Sequence, residues 1–123
     1  MFPKNALVKA RKAIEKGYIG KVTITERKKV TKANHSTGFT EVDILLDQPC
    51  RLSFSRSPAA EAGRTAELKQ TVKLFLPPEL IVLEGSKLTV TQNGITTVYK
   101  RSGPAAVYQT HQEITLELFE RWA

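Results

Sequence analysis

The sequence feature that most constrains the fold is a β-hairpin signal at residues 87–99. Asn93 and Gly94 separate two runs rich in β-branched and aromatic residues, and both tolerate the positive φ that a two-residue type I′ turn requires. This turn predicts three pairs on the more apolar face: Gln92 with Ile95, Val90 with Thr97, and Leu88 with Tyr99. Two strands alone are not stable in water, so the hairpin predicts further strands elsewhere in the chain.

Alternation of apolar and polar residues predicts these further strands. In the stretch 39–46, we expect the core-facing side chains to be Val42, Ile44 and Leu46. Residues 47–49, Asp-Gln-Pro, predict the end of that strand. Another strand then begins, with three side chains expected to point inward, Cys50, Leu52 and Phe54. Two later strands are predicted at residues 68–76 and 113–119.

The spacing of these strands indicates the fold class. Turn signals recur about every ten residues, and the strands do not alternate with helices. The sequence therefore predicts an all-β domain at residues 18–123, built as a small antiparallel barrel or sandwich of six or seven strands. Residues 57–67 contain no large apolar side chain, which predicts a flexible loop within the domain. A short helix over residues 59–66 is the alternative.

A basic amphipathic helix is predicted before the domain, within residues 1–17. Its span is 5–16, with Asn5 as N-cap and Gly17 just past the C-terminus. Leu7, Ala10 and Ile14 form a narrow apolar stripe. Three lysines follow another face at helical spacing: Lys9, Lys12 and Lys16.

Positive charge is concentrated at the N-terminal end of the chain. Residues 1–32 hold ten lysines and arginines and two glutamates, a balance of +8, whereas the whole chain carries +7. This asymmetry favours a basic surface that faces an anionic partner such as nucleic acid or an acidic protein. A solvated basic face that keeps the protein in solution explains the same pattern, and the sequence leaves both readings open.

No arrangement of residues typical of catalysis is found in the sequence. His35 and His111 lie in separate predicted loops, and Cys50 is the single cysteine, so neither a zinc spacing nor a redox pair is present. Its place at the start of an alternating strand favours a buried structural role for Cys50. We therefore expect a protein that is not an enzyme and that binds no metal and no cofactor. No apolar run approaches the length of a membrane-spanning helix, so no membrane partner is predicted.

The C-terminal residues include the single tryptophan, Trp122. A tryptophan so close to the end of a chain either folds back on the domain or anchors in a neighbouring protein. The sequence favours folding back, with an interface as the alternative.

Several segments together resemble a known family. They are Gly-Lys-Val-Thr-Ile at residues 20–24, Asp-Gln-Pro-Cys-Arg-Leu-Ser-Phe at 47–54, Gln-Thr-Val-Lys-Leu-Phe at 70–75, the hairpin from residue 85 with Tyr99, and residues 106–122. Their order resembles the head-closure, or stopper, proteins of tailed bacteriophages and prophage elements, also described as minor capsid or head-tail connector proteins. The resemblance covers residues 18–123, and the segments that begin at residues 47 and 106 are its most specific parts.

The resemblance implies a structural β-barrel subunit of the virion neck that assembles in the cytoplasm of the bacterial host. Copies of such a subunit form a homo-oligomeric ring between the portal–adaptor proteins and a tail terminator or tail-completion protein. The ring joins the head to the tail and helps to retain packaged double-stranded DNA. A stand-alone basic β-barrel that binds nucleic acid is the competing hypothesis.

The resemblance also suggests three sets of functional residues. The candidate channel-gating loop contains Ser57, Pro58, Glu61, Gly63, Arg64 and Glu67. The candidate contact with the adaptor or with DNA, of which we favour the adaptor, consists of Lys9, Lys12 and Lys16. The candidate subunit or tail interface consists of Phe119, Arg121 and Trp122.

Overall fold

A computed structural model describes residues 4–58 and 68–122 of the protein. One helix precedes seven strands. The elements are α1 (Lys4–Glu15), β1 (Gly20–Thr31), β2 (Thr37–Pro58), β3 (Leu68–Leu76), β4 (Lys87–Gln92), β5 (Ile95–Arg101), β6 (Ala106–Val107) and β7 (Gln112–Leu118). This confirms the predicted all-β fold with one N-terminal helix.

The strands form an antiparallel sheet that closes into a barrel. Hydrogen bonding runs in the order β3-β2-β1-β4-β5-β7, and β3 also pairs with β7. Short β6 adds to the edge of β7 beside Gln112 and Glu113. Closure leaves the apolar faces of six strands directed at one interior, which is how a small all-β chain buries a core without a second sheet.

The hairpin at residues 87–99 is confirmed in its register and its turn. Gln92 pairs with Ile95, Val90 with Thr97 and Leu88 with Tyr99. Asn93 and Gly94 have φ values of 54° and 77°, as a type I′ turn requires. Leu88, Val90 and Tyr99 are buried, whereas Ile95 at the end of the hairpin is 69% exposed.

The core is made by inward residues of six strands and one residue from a linker. Its buried members are Val22, Ile24, Cys50, Leu52, Leu74, Leu76, Val82, Leu88, Val90, Tyr99, Ile114 and Leu116. Val82 lies between β3 and β4, and Arg101 donates a hydrogen bond to its carbonyl oxygen. The buried amide of Gln112 donates to the carbonyls of Pro77 and Leu80 at 2.8 and 2.6 Å. These bonds hold the linker against the barrel, because they satisfy backbone acceptors that no strand reaches.

The core-facing side chains predicted for the stretch 39–46 are wrong. Val42, Ile44 and Leu46 are 37%, 39% and 66% exposed, and Leu45 instead packs against the core. The register with β1 is irregular around Ile24, and the ladder pairs Leu45 and Gln48 but passes over the residues between them. Val42, Ile44 and Leu46 nevertheless keep a period of two and share the outer face, so the error lies in which face was taken as inward, because the outer face carries more apolar side chains here.

The predicted break at residues 47–49 is a bend within one strand of 22 residues, β2. Asp47 has a φ of 48°, and Pro49 still pairs with Lys21. Beyond the bend β2 leaves β1 and pairs with β3, starting at Arg51. Phe54, expected to point inward, is 51% exposed.

Gln92 closes the gap where β2 changes its partner strand. Its side-chain oxygen accepts a hydrogen bond from the Leu52 amide at 2.8 Å, and its side-chain amide donates to the Leu52 carbonyl at 3.2 Å. A side chain thereby replaces the backbone of a neighbouring strand. Gly20 lies beside it, where a Cβ would stand 3.0 Å from the Gln92 oxygen and 3.2 Å from the Thr91 carbonyl oxygen, so a larger residue there would crowd this hydrogen-bonded pair.

Helix α1 begins one residue before the predicted start, which places Asn5 inside it. The Gly17 amide donates to the Ile14 carbonyl at 2.9 Å, so the helix ends in a tighter i→i+3 bond. Leu7, Ala10 and Ile14 are only partly buried. The helix is joined to the linker before β4 by an exposed ion pair between Arg11 and Glu79, and this hydrogen bond lowers the pKa of Glu79.

Candidate interaction surface

A two-stranded ribbon extends from the barrel at the end of the β1–β2 ladder that no third strand covers among the described residues. β4 pairs with β1 only as far as Thr25, and β3 pairs with β2 only from Arg51. Past Thr25, β1 continues to pair with β2, from Glu26 with Val42 to Thr31 with Thr37. We call residues 26–42 the arm.

A tight turn closes the arm at residues 32–36. The Lys32 amide donates to the Ser36 carbonyl at 2.8 Å. His35 adopts a φ of 64°, and the Asn34 side-chain oxygen accepts hydrogen bonds from the Ser36 amide and hydroxyl. Asn34 thus satisfies the reversal locally, as short polar side chains do in turns.

The arm is exposed on both of its faces. Every residue from Arg27 to Val42 is exposed except Gly38, including Phe39 at 58%. Residues 28–40 carry three lysines, Lys28, Lys29 and Lys32, and no acidic residue. An isolated two-stranded ribbon is marginally stable, so a neighbouring surface that covered this one would stabilise it.

The C-terminal residues pack against the base of the arm. Trp122 donates from Nε1 to the Glu41 carboxylate at 3.2 Å, and its ring meets the edge of Phe119 at 5.1 Å. The Arg27 guanidinium lies 4.2 Å from the Phe39 ring centroid and 5.8 Å from that of Trp122. The prediction that Trp122 folds back is therefore confirmed.

Lys87 connects this packing to the barrel. Its ammonium lies 3.2 Å from the Glu41 carboxylate and 5.5 Å from the Phe119 ring centroid. Because Lys87 begins β4, the base of the arm is joined to a strand of the barrel wall. The distal half of the arm has no such connection among the residues that the structure describes.

A cleft of about 230 Å³ opens beside the base of the arm. Its lining residues are Glu26, Arg27, Leu83, Glu84, Gly85, Ser86 and Trp122. Ser86 is only 2% exposed, and its hydroxyl oxygen is buried without a hydrogen-bond partner in the described part of the chain. The cleft therefore combines two carboxylates, an aromatic surface and an unsatisfied polar atom.

The three predicted lysines of the N-terminal segment share an exposed face. Lys9 and Lys12 lie on α1 and Lys16 directly follows it, and all three side chains are exposed. The half-buried stripe of Leu7, Ala10 and Ile14 lies on another side of the helix. The lysines are consequently available to an anionic surface.

Part of the predicted gating loop lies outside the described residues, namely Glu61, Gly63, Arg64 and Glu67. Ser57 and Pro58 are the last two residues of β2, where they pair with Lys69 and Leu68. Of the predicted C-terminal interface, Phe119 and Trp122 are half-buried, and Arg121 is exposed. Arg121 lines another cleft with Phe119 and Glu117, and this cleft shares Glu84 and Gly85 with the one beside the base of the arm.

The side chains that could act as metal ligands, nucleophiles or bases do not assemble into a reactive site in residues 4–58 and 68–122. No three histidine, cysteine, aspartate or glutamate side chains there could hold a metal ion. Burial raises the pKa of the Cys50 thiol to about 12, which keeps it protonated and unreactive. His111 is stacked between Phe75 and Tyr108 and lies 2.9 Å from the Glu113 carboxylate, as a packed structural histidine would. No helix in the described ranges is long and apolar enough to cross a membrane.

The sequence patterns did not predict the arm or the packing of the C-terminal residues at its base. The useful signal was the stretch Glu26-Arg-Lys-Lys29, where β-branched residues continue on both sides but apolar alternation stops. Such a stretch is typical of a ribbon that is exposed on both faces. Arg27, Phe39 and Glu41 gave no signal as partners of Trp122, because about 80 residues separate them from it in sequence.

Comparisons with known proteins give one structural similarity. Neither the scan of protein-family models nor the search of curated proteins finds a match. Among solved structures, the phage-like element PBSX protein xkdH from Bacillus subtilis matches with a TM-score of 0.47 and 8% sequence identity. The alignment covers 80% of this chain and 90% of that chain. A similarity this distant does not establish a shared function.

Proposed function

We propose that the protein is a structural subunit of the neck of a tailed phage or prophage-derived particle. In this role copies of it form a head-closure ring that joins the portal–adaptor complex to the tail and helps to retain packaged DNA. The sequence resemblance described above suggests this role. The closed barrel is compatible with a structural subunit, because its reactive groups are buried or engaged in packing.

The arm is the observation that carries the proposal. It presents basic and apolar side chains on a ribbon that is marginal alone, and Phe39 and the three arm lysines are exposed. A subunit that functions alone gains nothing from such a surface, whereas a subunit of a ring gains stability when a neighbour covers it. A ring above two-fold symmetry also requires two different patches to meet, and the arm is one patch that a different surface of a neighbouring copy can cover.

Gene deletion and complementation in the element that encodes the protein test this function. Without the gene, DNA-filled heads and separate tails should accumulate, and electron microscopy of the lysate should show few joined particles. Wild-type protein supplied from a plasmid should restore joining. Normal joined particles in the deletion strain would refute the proposed role.

A shortened arm makes the same test specific to the surface. Replacing residues 28–40 by Asn-Gly keeps Arg27, Glu41 and the whole barrel and supplies a two-residue turn. The shortened protein should fold, as judged by circular dichroism, but should not restore joining. A separate variant with Lys9→Gln, Lys12→Gln and Lys16→Gln removes charge from the other basic surface and tests whether that surface is also needed for joining. Equal joining by the shortened and the wild-type protein would show that the arm is not needed.

The alternative function, a stand-alone nucleic-acid-binding module, draws support from the exposed stripe of Lys9, Lys12 and Lys16. Such binding would depend steeply on salt, since each phosphate contact releases counterions. A filter-binding titration of the purified protein with double-stranded DNA distinguishes the two functions. Measurable affinity at physiological salt, lost in the triple glutamine variant, would favour the module.

A further inference from the structure

We propose that the distal part of the arm of one copy docks in the cleft at the arm base of a second copy, so that copies join head to tail. This inference rests on the proposed ring and specifies which two surfaces meet in it. The donor surface is residues 28–37, and the acceptor surface is the cleft between Glu26, Glu84 and Trp122.

Charge complementarity joins these two surfaces. The distal arm carries Lys28, Lys29 and Lys32 without a single acidic residue. The cleft presents the carboxylates of Glu26 and Glu84. Among the described lining residues the cationic group is the guanidinium of Arg27, which lies 4.2 Å from the Phe39 ring centroid. With two carboxylates and one guanidinium, this lining has a net charge of −1, which attracts a lysine side chain.

The shape and the apolar lining of the cleft also fit a lysine. Leu83 is 52% exposed and lines the cleft opposite the indole of Trp122. A lysine packs its four methylene groups on apolar surface while its ammonium reaches polar groups, and an ammonium is attracted to the face of an indole. At about 230 Å³ the cleft has room for one or two side chains, which is what the tip of a thin ribbon can offer.

The tip of the docked arm cannot belong to the same copy. Lys32 at the turn lies six positions along the chain from Glu26 at the cleft, which is about 20 Å at the usual rise per residue of an extended strand. The tip of the arm therefore lies far from its own cleft and points away from it. A contact between tip and cleft must be intermolecular and heterologous, and repetition of such a contact closes a ring when the rotation permits.

Cysteine cross-linking tests the contact directly. Cys50 is fully buried, so it does not compete with introduced thiols under native conditions. A protein with both Lys32→Cys and Glu84→Cys should give a ladder of covalent oligomers under mild oxidation. A mixture of the two single variants should give dimers only, each with one chain of either type. The matched control combines Lys32→Cys with Ile95→Cys, which places the second thiol at an exposed site on the β4–β5 turn, and it should give no ladder.

Two cross-linking outcomes would overturn the proposal. One is the absence of a ladder from the double variant at protein concentrations where the wild type self-associates, or a wild type that stays monomeric throughout. The other is a dimer of the single Lys32→Cys variant as strong as the mixed dimer, which would mean that arms meet symmetrically. Neither outcome depends on head–tail joining. The ring could therefore stand while this contact fails, and the deletion test could fail while the contact stands.

Charge exchange gives a second, non-covalent test. Lys32→Glu and Glu84→Lys should each weaken self-association about five-fold in sedimentation equilibrium, a typical effect for an exposed ion pair. The two substitutions combined in one chain should recover most of that loss. Glu84→Gln serves where the reversed charge disturbs folding, and it should weaken association in the same direction. Additive losses in the double exchange would refute the pairing of these two surfaces.

Discussion

Substitution of Gly94 by valine tests the conformation of the hairpin turn and little else. Gly94 has a φ of 77°, in the left-handed region where β-branched residues are strained. A Cβ at this position would meet no atom within 4 Å. Any loss of stability in Gly94→Val must therefore come from the backbone conformation and not from a collision.

The size of this loss follows from two opposing effects. Holding a residue with a Cβ in the left-handed region costs about 1–2 kcal/mol, and a β-branched side chain lies at or above the upper end of this range. Replacing glycine also reduces the conformational freedom of the unfolded chain, which favours folding by about 0.4–1 kcal/mol. We expect a net loss of about 1–2 kcal/mol in the free energy of unfolding, or a fall in Tm of about 4–8 °C for a domain of this size.

Urea unfolding followed by circular dichroism measures this loss, and two variants control it. Gly94→Asn should change stability by less than about 0.5 kcal/mol, because asparagine tolerates positive φ. Gly38→Val places the same side chain in extended strand β2, where its Cβ meets only the flexible end of Lys32, and it should be neutral. Unchanged unfolding of Gly94→Val, or an equal loss in Gly38→Val, would refute the assignment of the turn.

Two further predictions concern the barrel. Gln92→Ala leaves both backbone groups of Leu52 without their partner and should lower the free energy of unfolding by about 1–3 kcal/mol. Gln48→Ala, which removes only an exposed hydrogen bond, is the control. Equal losses in the two variants would contradict the role given to Gln92. Burial raises the pKa of Cys50 from 9.0 to about 12, so the native state keeps a proton that the unfolded state releases, and stability should fall as pH rises from about 9 to about 12. Cys50→Ala should reduce this slope in urea titrations at several pH values, and an unchanged slope would exclude the thiol as its source.

Sequence patterns predicted the parts of the fold that depend on local conformation. The Asn93-Gly94 turn fixes φ and register within a few residues, so its hairpin could be predicted pair by pair. The strand β3 and the stop at Pro77 follow from the same kind of local signal. The choice of the inward face was less accurate, since Val42, Ile44 and Leu46 lie on the outer face of β2 and alternation alone does not show which face meets the core.

The candidate surface was harder to predict because its contacts are distant in sequence. That Trp122 folds back followed from its size and its place near the end of the chain. Its partners could not be predicted, because Glu41 and Arg27 are ordinary charged residues of a strand until the barrel brings the C-terminus beside them. The cleft likewise combines residues 26–27, 83–86 and 122, which no linear motif connects.

The way in which the arm is attached determines how a ring of such subunits could assemble. Its base is held by Trp122, Phe119 and Lys87, while its distal half, among the residues that the structure describes, is held by its own ladder and turn. Segments with few buried contacts open locally at low free energy, so the tip should be the least stable part of the ribbon in a free subunit. Docking of the tip would order it at the moment of contact, and that ordering cost weakens each single contact. Closure of a ring then compensates, because every subunit gives one arm and receives one, and the last contact forms within an already connected assembly. Subunits built in this way would remain monomeric when dilute and would assemble where a neighbouring structure concentrates them.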